Sequence, residues 1–406
     1  MRVPLLASYL FILSSCASGW GTFPVLRSRH PASRAATEFE LSGQLIDVTG
    51  PHEYMAATND DLRGPCPGLN ALANHGYIPR NGFVCLLDAF FVSQSVFGFA
   101  VDAASVVSAL AGLYASDITE LPCLPFSIGG PTPRTLLGII LGESVGLNGT
   151  HNQFETDTSP TRCDLYECGE NSIVQPDILQ NLLDLFAQNQ PGGQNQMKAD
   201  FDTVGQHHVN RIQHSIENNP YFFYGPVQMA VSCVVHLVIP GAMANHSASN
   251  PDGYISPEGL KSLYGVAPGP DGKLKYNWGT EQIPPNWYRR PLDAPYSPLL
   301  GLVDMWTNYP QTLIIGGNTN GINTFAPLDI GDFTNGVYST AALLEGNNAA
   351  CFVVQAVQVL IPSILENVEA ILTNVLAKYT PNLACPELQG FKMALLEQYP
   401  GYMLKH

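Results

Sequence analysis

The sequence predicts an all-α protein, with one long irregular stretch before its last helices. Three observations carry that reading. Apolar residues recur at intervals of three and four in several segments, which places them on one helix face. Strict apolar–polar alternation over strand lengths is scarce. Between residues 240 and 340 Pro, Gly, Asn and Asp dominate, so only short ordered pieces are expected there. With 406 residues, 45% hydrophobic and 13% charged, the chain has a globular composition. Its formal charge of −16 argues against nucleic acid and against docking on anionic lipid.

From the N-terminus, Arg2 precedes an apolar run over 5–13 and small residues over 14–18. This is the pattern of a signal peptide, expected to be cleaved after Ala17 (residues 1–17), and the run is too short for the roughly 20 residues a bilayer span needs. Secretion is therefore expected. Sequons at Asn148-Gly149-Thr150 and Asn245-His246-Ser247 fit a secreted glycoprotein. Residues 18–54 show weak periodicity and read as an N-terminal extension. The apolar run 83–115 is interrupted by Asp88, Gln94 and Asp102. Charge in lipid is costly, so the run reads as two buried core helices, and no membrane anchor is expected.

Leu179, Leu182, Leu183 and Phe186 mark a helix behind Asp177 as N-cap. Phe201, Val204, Val209, Ile212 and Ile216 mark another, which Asn218-Asn219-Pro220 stops. A third apolar run covers 227–238. Residues 341–360 read as one helix, broken by Pro362, and Ser363-Ile364-Leu365-Glu366 forms a capping box for the next. No internal repeat is present, so residues 55–406 read as a single compact helical domain.

Nine cysteines are present, and Cys16 leaves with the signal. The remaining even count in an oxidising compartment suggests disulfides. Cys351 with Cys385 is a plausible pair, while Cys85 and Cys233 lie in apolar runs and read as free buried thiols.

The segment 63–82 carries the chemistry: Arg63-Gly64-Pro65-Cys66-Pro67-Gly68-Leu69-Asn70-Ala71-Leu72-Ala73-Asn74-His75-Gly76-Tyr77-Ile78-Pro79-Arg80-Asn81-Gly82. Pro67 locks φ and biases Cys66 toward extended backbone. A helix started at 68 aims N–H groups and its positive end at the sulfur, which favours thiolate. Such a sulfur suits a haem axial ligand. A disulfide is the competing reading of the same residues.

The whole segment closely resembles the signature of the fungal haem-thiolate peroxidases, the chloroperoxidase and unspecific peroxygenase family. The resemblance implies one haem b per chain with Cys66 as iron ligand, and structural roles for Asn74 and His75. A second block, Phe154-Glu155-Thr156-Asp157-Thr158-Ser159-Pro160-Thr161-Arg162-Cys163-Asp164, resembles the family's acidic motif. The resemblance implies a Mg²⁺ beside a haem propionate, held by the Glu155 carboxylate, the Thr156 carbonyl and the Ser159 hydroxyl. Residues 211–220, 281–290, 385–388 and 399–402 also resemble family segments.

Two positions depart from that pattern. The family moves the peroxide proton with a carboxylate partnered by His or Arg. Thr156 stands where one branch has His, while Gln228 and Val235 stand where the other has Arg and Glu. His236, next to Val235, is the nearest titratable substitute and the candidate catalytic residue. His207, His208 and His214 read as surface residues of the preceding helix. Tyr221, Phe222, Phe223 and Tyr224 read either as a substrate channel or as core. The expected function is a secreted peroxidase or peroxygenase that uses hydrogen peroxide on a small apolar or aromatic substrate, in fungal secondary-metabolite biosynthesis by family analogy. The alternatives are a haem protein of the same fold without efficient turnover, and a secreted structural glycoprotein.

Overall fold

The computed structural model describes residues 39–100, 104, 111, 125–132, 144–189, 195–359 and 384–404. The expected signal peptide, the second helix of the 83–115 run and the helix after Pro362 lie outside the described residues.

Helices dominate, and the longer ones follow the apolar periodicity. They are α1 (Pro67–Asn74), α2 (Leu86–Phe97), α3 (Pro176–Asn189), α4 (Phe201–Asn218), α5 (Pro226–Ala242), α6 (Pro257–Leu263), α7 (Pro298–Asn308) and α8 (Asn348–Val359). On α3 the buried residues are Leu179, Leu182, Leu183 and Phe186, the set that the spacing picks out. Pro176 opens this helix, so Asp177 lies in its first turn and not at the cap. Asp200 caps α4, its carboxylate accepting the N–H groups of Asp202 and Thr203. Helix α5 is largely buried. It packs against α4, α7 and α8.

Four small antiparallel sheets accompany the helices that the all-α expectation anticipated. They comprise β1 (Phe83–Cys85) with β2 (Pro125–Ser127); β3 (Met197–Lys198), β6 (Asn250–Ile255) and β5 (Asn245–Ser247); β7 (Val266–Pro268) with β8 (Leu274–Tyr276); and β10 (Phe325–Leu328), β9 (Ile315–Asn318) and β4 (Phe223–Tyr224). Strands β5 to β10 fall in the stretch expected to be irregular. Each is six residues or shorter, and several contain Gly, Pro or Asn, so alternation has no length in which to show.

Other expectations change as well. Residues 86–97 form a helix whose buried side chains are Ala89, Val96 and Phe97, while Phe91 is exposed, so it is not a wholly buried core helix. Residues 340–359, expected from 341 as one helix, hold two, Thr340–Leu343 and α8. The Cys351–Cys385 bridge is present, Cys163 pairs with Cys168, and Cys233 is a free buried thiol. Cys85 is disulfide-bonded, not free. Part of the extension is tied to the body: Ile46 N donates to Trp287 O and Gln44 Nε2 to Arg289 O. No helix of the described residues is long and apolar enough to cross a membrane.

Candidate active site

Pro67 stands at the first position of α1 and leaves Cys66 at the N-cap in extended backbone, φ −91° and ψ 106°. The Cys66 sulfur accepts the backbone N–H groups of Leu69 and Gly68. Gly68 keeps space beside the sulfur, since a Cβ there would sit 3.3 Å from the Phe97 ring and 4.0 Å from Sγ. Cys66 is a free cysteine, which removes the half-cystine reading. Burial pushes its thiol up. The Leu69 N–H, the Arg162 charge and the Gly68 N–H pull the other way, and burial wins. The backbone donors alone therefore do not favour thiolate, contrary to the sequence expectation. A cation bonded to the sulfur would favour the thiolate.

The asparagines of the signature anchor α1. Asn70 Oδ1 accepts Gly64 N at 3.1 Å, and its Nδ2 donates to Gly64 O at 2.9 Å and Glu281 Oε1 at 2.8 Å. Asn74 Oδ1 accepts Arg63 Nη2 at 2.7 Å, while its Nδ2 donates to Gly279 O at 3.0 Å and Glu281 O at 2.8 Å. His75 Nδ1 lies 2.7 Å from His52 O, and its Nε2 accepts Ile283 N at 3.2 Å. With both ring nitrogens engaged, His75 is a structural residue and not a metal ligand.

Cys66 faces a cavity walled by Leu69, Phe97, Phe126 and Phe154 and by one face of α5. That face presents Val227, Ala230, Val231, Val234, Val235 and Val238, at helical spacing. Gln228 is buried and turned aside, donating from Nε2 to Asn152 O at 2.7 Å. Neither Gln228 nor Val235 can move a proton.

His236 does not line this cavity, which corrects its candidate role. It projects toward α4. Its ring stacks on His208 at 4.3 Å, its Nδ1 lies 2.9 Å from Ser232 O, and its Nε2 lies 3.4 Å from His207 Nδ1. Burial lowers its pKa to about 3, so it stays neutral. His207 and His208 are buried too, whereas His214 is partly exposed and bonded to Glu167 at 2.8 Å. Replacing His236 by alanine is expected to cost about 2–4 kcal/mol of stability, through a cavity and a lost hydrogen bond. Turnover per folded molecule should be unchanged, read by thermal melts beside steady-state peroxide assays.

Glu155, Thr156, Ser159 and Arg162 bring polar groups to the cavity wall. Glu155 Oε2 receives His151 Nδ1 at 2.7 Å and Asn171 Nδ2 at 2.5 Å. Burial disfavours the His151 cation, but Asp157 and Glu155 outweigh it and raise the pKa to about 9. Ser159 Oγ accepts the N–H groups of Thr161 at 3.3 Å and Arg162 at 3.1 Å. Behind the loop, Asn219 Nδ2 bridges Asp157 and Asp164 at 2.9 and 3.1 Å, and Arg211 reaches Asp164 at 3.4 Å. Sequence reasoning assigned no role to His151 or Arg162. The His-x-x-x-Glu spacing was the available signal for the first.

Three of the four aromatic residues after α4 belong to the core, and the segment does not form the channel. Phe222, Phe223 and Tyr224 are buried, Tyr221 is exposed, and none lines the cavity. Both sequon asparagines are built into the fold. Asn245 Nδ2 donates to Tyr254 Oη at 3.0 Å and Asn286 O at 3.4 Å, and a glycan there would replace these bonds. Asn148 Oδ1 is buried against Gly64.

Residues 52–292 match the family described as Peroxidase, family 2. The chain is 35% identical over 381 residues to the dothistromin biosynthesis peroxidase dotB of Dothistroma septosporum, covering 91% of this chain and 89% of that one. It is 34% identical over 388 residues to the aromatic peroxidase fscJ of Fusarium equiseti, covering 89% and 86%. An aromatic peroxygenase of Cyclocybe aegerita is 33% identical over 202 residues, covering 50% and 52%. With the free, backbone-cradled Cys66 at an apolar cavity, these likenesses establish that the chain belongs to peroxidase family 2, the fungal haem-thiolate peroxidases, and is a peroxide-using oxidoreductase.

Proposed function

We propose that the protein is a secreted peroxidase or peroxygenase that uses hydrogen peroxide to oxidise or oxygenate a small apolar or aromatic compound. The observation that carries this reading is the free Cys66 sulfur, held by two backbone N–H groups at the wall of an apolar cavity. This donor set fits haem b, with Cys66 as axial ligand. Haem bound there supplies the redox chemistry that splits peroxide and oxidises the substrate. The chain's own residues do the rest. Leu69 and Gly68 orient the sulfur, and the valine face of α5 with Phe97, Phe126 and Phe154 excludes water and accepts an apolar ring.

The likeness to a peroxidase named for dothistromin biosynthesis supports a role in making a small aromatic metabolite. The leader-like N-terminus and the disulfides Cys163–Cys168 and Cys351–Cys385 support secretion. The absorption spectrum of the purified protein tests the reading. A ferrous–CO complex with the strongly red-shifted Soret band of thiolate ligation, and peroxide-dependent oxidation of a test aromatic, are the expected results. A colourless protein overturns it.

Mg²⁺ at Glu155, Thr156 and Ser159 forms part of the same proposal. All three line the cavity, and the bonds of Glu155 fall on Oε2, which leaves Oε1 for a hard cation. Ser159 fits less well, because its hydroxyl already accepts two N–H groups. Glu155→Ala is expected to remove bound Mg²⁺, from about one per chain to none by elemental analysis, and to loosen haem retention by about 10–100-fold. Equal metal content in both proteins would withdraw the Mg²⁺ assignment.

A further inference from the structure

We propose that Arg162 binds a propionate of the haem, through a guanidinium N–H that the protein leaves without a partner. The inference rests on the haem reading above and adds a residue to it. Arg162 is 3% exposed and lines the same cavity as Cys66. Two of its nitrogens fix the plane of the fork: Nε donates to Ser172 O at 3.3 Å and Nη1 to Thr161 Oγ1 at 2.9 Å. Nη2 is buried and, among the described residues, meets no acceptor. The loop is pinned behind it, with Arg211 donating from Nε to Ser159 O at 3.0 Å and from Nη2 to Arg162 O at 3.3 Å.

A buried guanidinium with an unmet N–H is costly unless an anion completes it. Its planar fork matches a carboxylate, and the neighbouring Arg211 shows the completed case on Asp164. Buried Glu281 lies within electrostatic reach but makes no hydrogen bond to Nη2, so a carboxylate entering the cavity would complete the fork. Two sources exist, a haem propionate and an acidic substrate. The propionate is favoured because Arg162 acts on the sulfur side. Its charge reaches Cys66 and also Tyr264, which lines the same wall. A porphyrin held by Cys66 would bring its carboxylates into the cavity that Arg162 and Tyr264 line, and the valine face of α5 would remain for a substrate.

The test uses the haem-loaded protein and its Arg162→Ala, Arg162→Gln and Arg162→Lys variants. Haem loss to excess apomyoglobin is followed by absorbance, once with ordinary haem and once after reconstitution with haem dimethyl ester, which has no propionate charge. One charge-assisted hydrogen bond corresponds to roughly tenfold or more in retention, so the Ala and Gln variants should lose ordinary haem at least about tenfold faster than the parent. The Lys variant should fall between them. With the ester all four should lose haem at the same rate, an equality that a merely structural role would not produce. Equal loss of ordinary haem, or the same gap with the ester, overturns the proposal. A raised KM for a carboxylate-bearing aromatic with haem retention intact overturns it in favour of the substrate. The ferrous–CO band reports on Cys66 separately. If it is thiolate-like in the parent and every variant while retention does not change, Arg162 fails and the Cys66 reading stands.

Discussion

Replacing Cys66 by alanine is expected to abolish the red-shifted ferrous–CO band and to lower peroxide turnover by more than a hundredfold, while the chain stays folded. The size follows from the ligand hierarchy. Loss of an outer-shell partner costs about 10–100-fold in metal affinity or activity, and loss of the ligand itself must exceed that. The folding expectation follows from the geometry. Cys66 closes no disulfide, and α1 is held by the Asn70 and Asn74 amides and by His75, all independent of the sulfur. Circular dichroism and a haem titration separate the two effects. Cys66→His sharpens the test, since an imidazole can bind iron but gives no thiolate signature. A red-shifted band surviving in either variant would show that another group ligates the iron, and the proposed chemistry would have to be rebuilt around it.

This centre was legible in the sequence because its geometry is local. Two prolines fix the backbone on either side of Cys66, and the eight-residue helix after it follows from the chain itself. The apolar stripe of α3 was legible for the same reason, whereas on α4 only Val204 and Ile212 of the five expected positions are buried. What failed depends on partners distant in the chain. His207 and His208 lie on a helix of low hydrophobicity and read as surface residues, yet both are buried. His208 Nε2 shares hydrogen bonds with Ser232 at 2.5 Å and Tyr224 at 3.1 Å, contacts across two other elements that no local pattern announces. His236 failed by orientation. Val231, Val234, Val235 and Val238 share one face of α5, and the residue after Val235 is turned about 100° away from it. Arg162 was visible within the acidic motif, but an unmet N–H is a property of the packed loop and cannot be read from residue identities.

Val235→Glu is expected to speed peroxide consumption by the haem-loaded protein by about 10²–10⁴-fold, the range that a well-placed general acid–base contributes. Among the described residues the α5 wall offers only aliphatic side chains to the cavity, so peroxide meets no group there that can take a proton from one oxygen and return it to the other. Val235 occupies the position that family resemblance gives to a carboxylate, and its side chain lines the cavity. A carboxyl introduced there is desolvated by the neighbouring valines. Desolvation raises its pKa toward neutrality, which suits a group that must both accept and donate. Burying the carboxyl is expected to cost roughly 1–3 kcal/mol of stability, seen as a lower melting temperature. Val235→Gln is the control that decides the mechanism, because it adds similar bulk and polarity without an exchangeable carboxyl proton. If the glutamate variant accelerates and the glutamine variant does not, proton transfer limits the native enzyme. Its slow peroxide step is then a consequence of the valine wall. If both variants behave alike, the native chain already moves this proton from elsewhere, and Glu155, the carboxylate at the cavity wall, becomes the group to replace next.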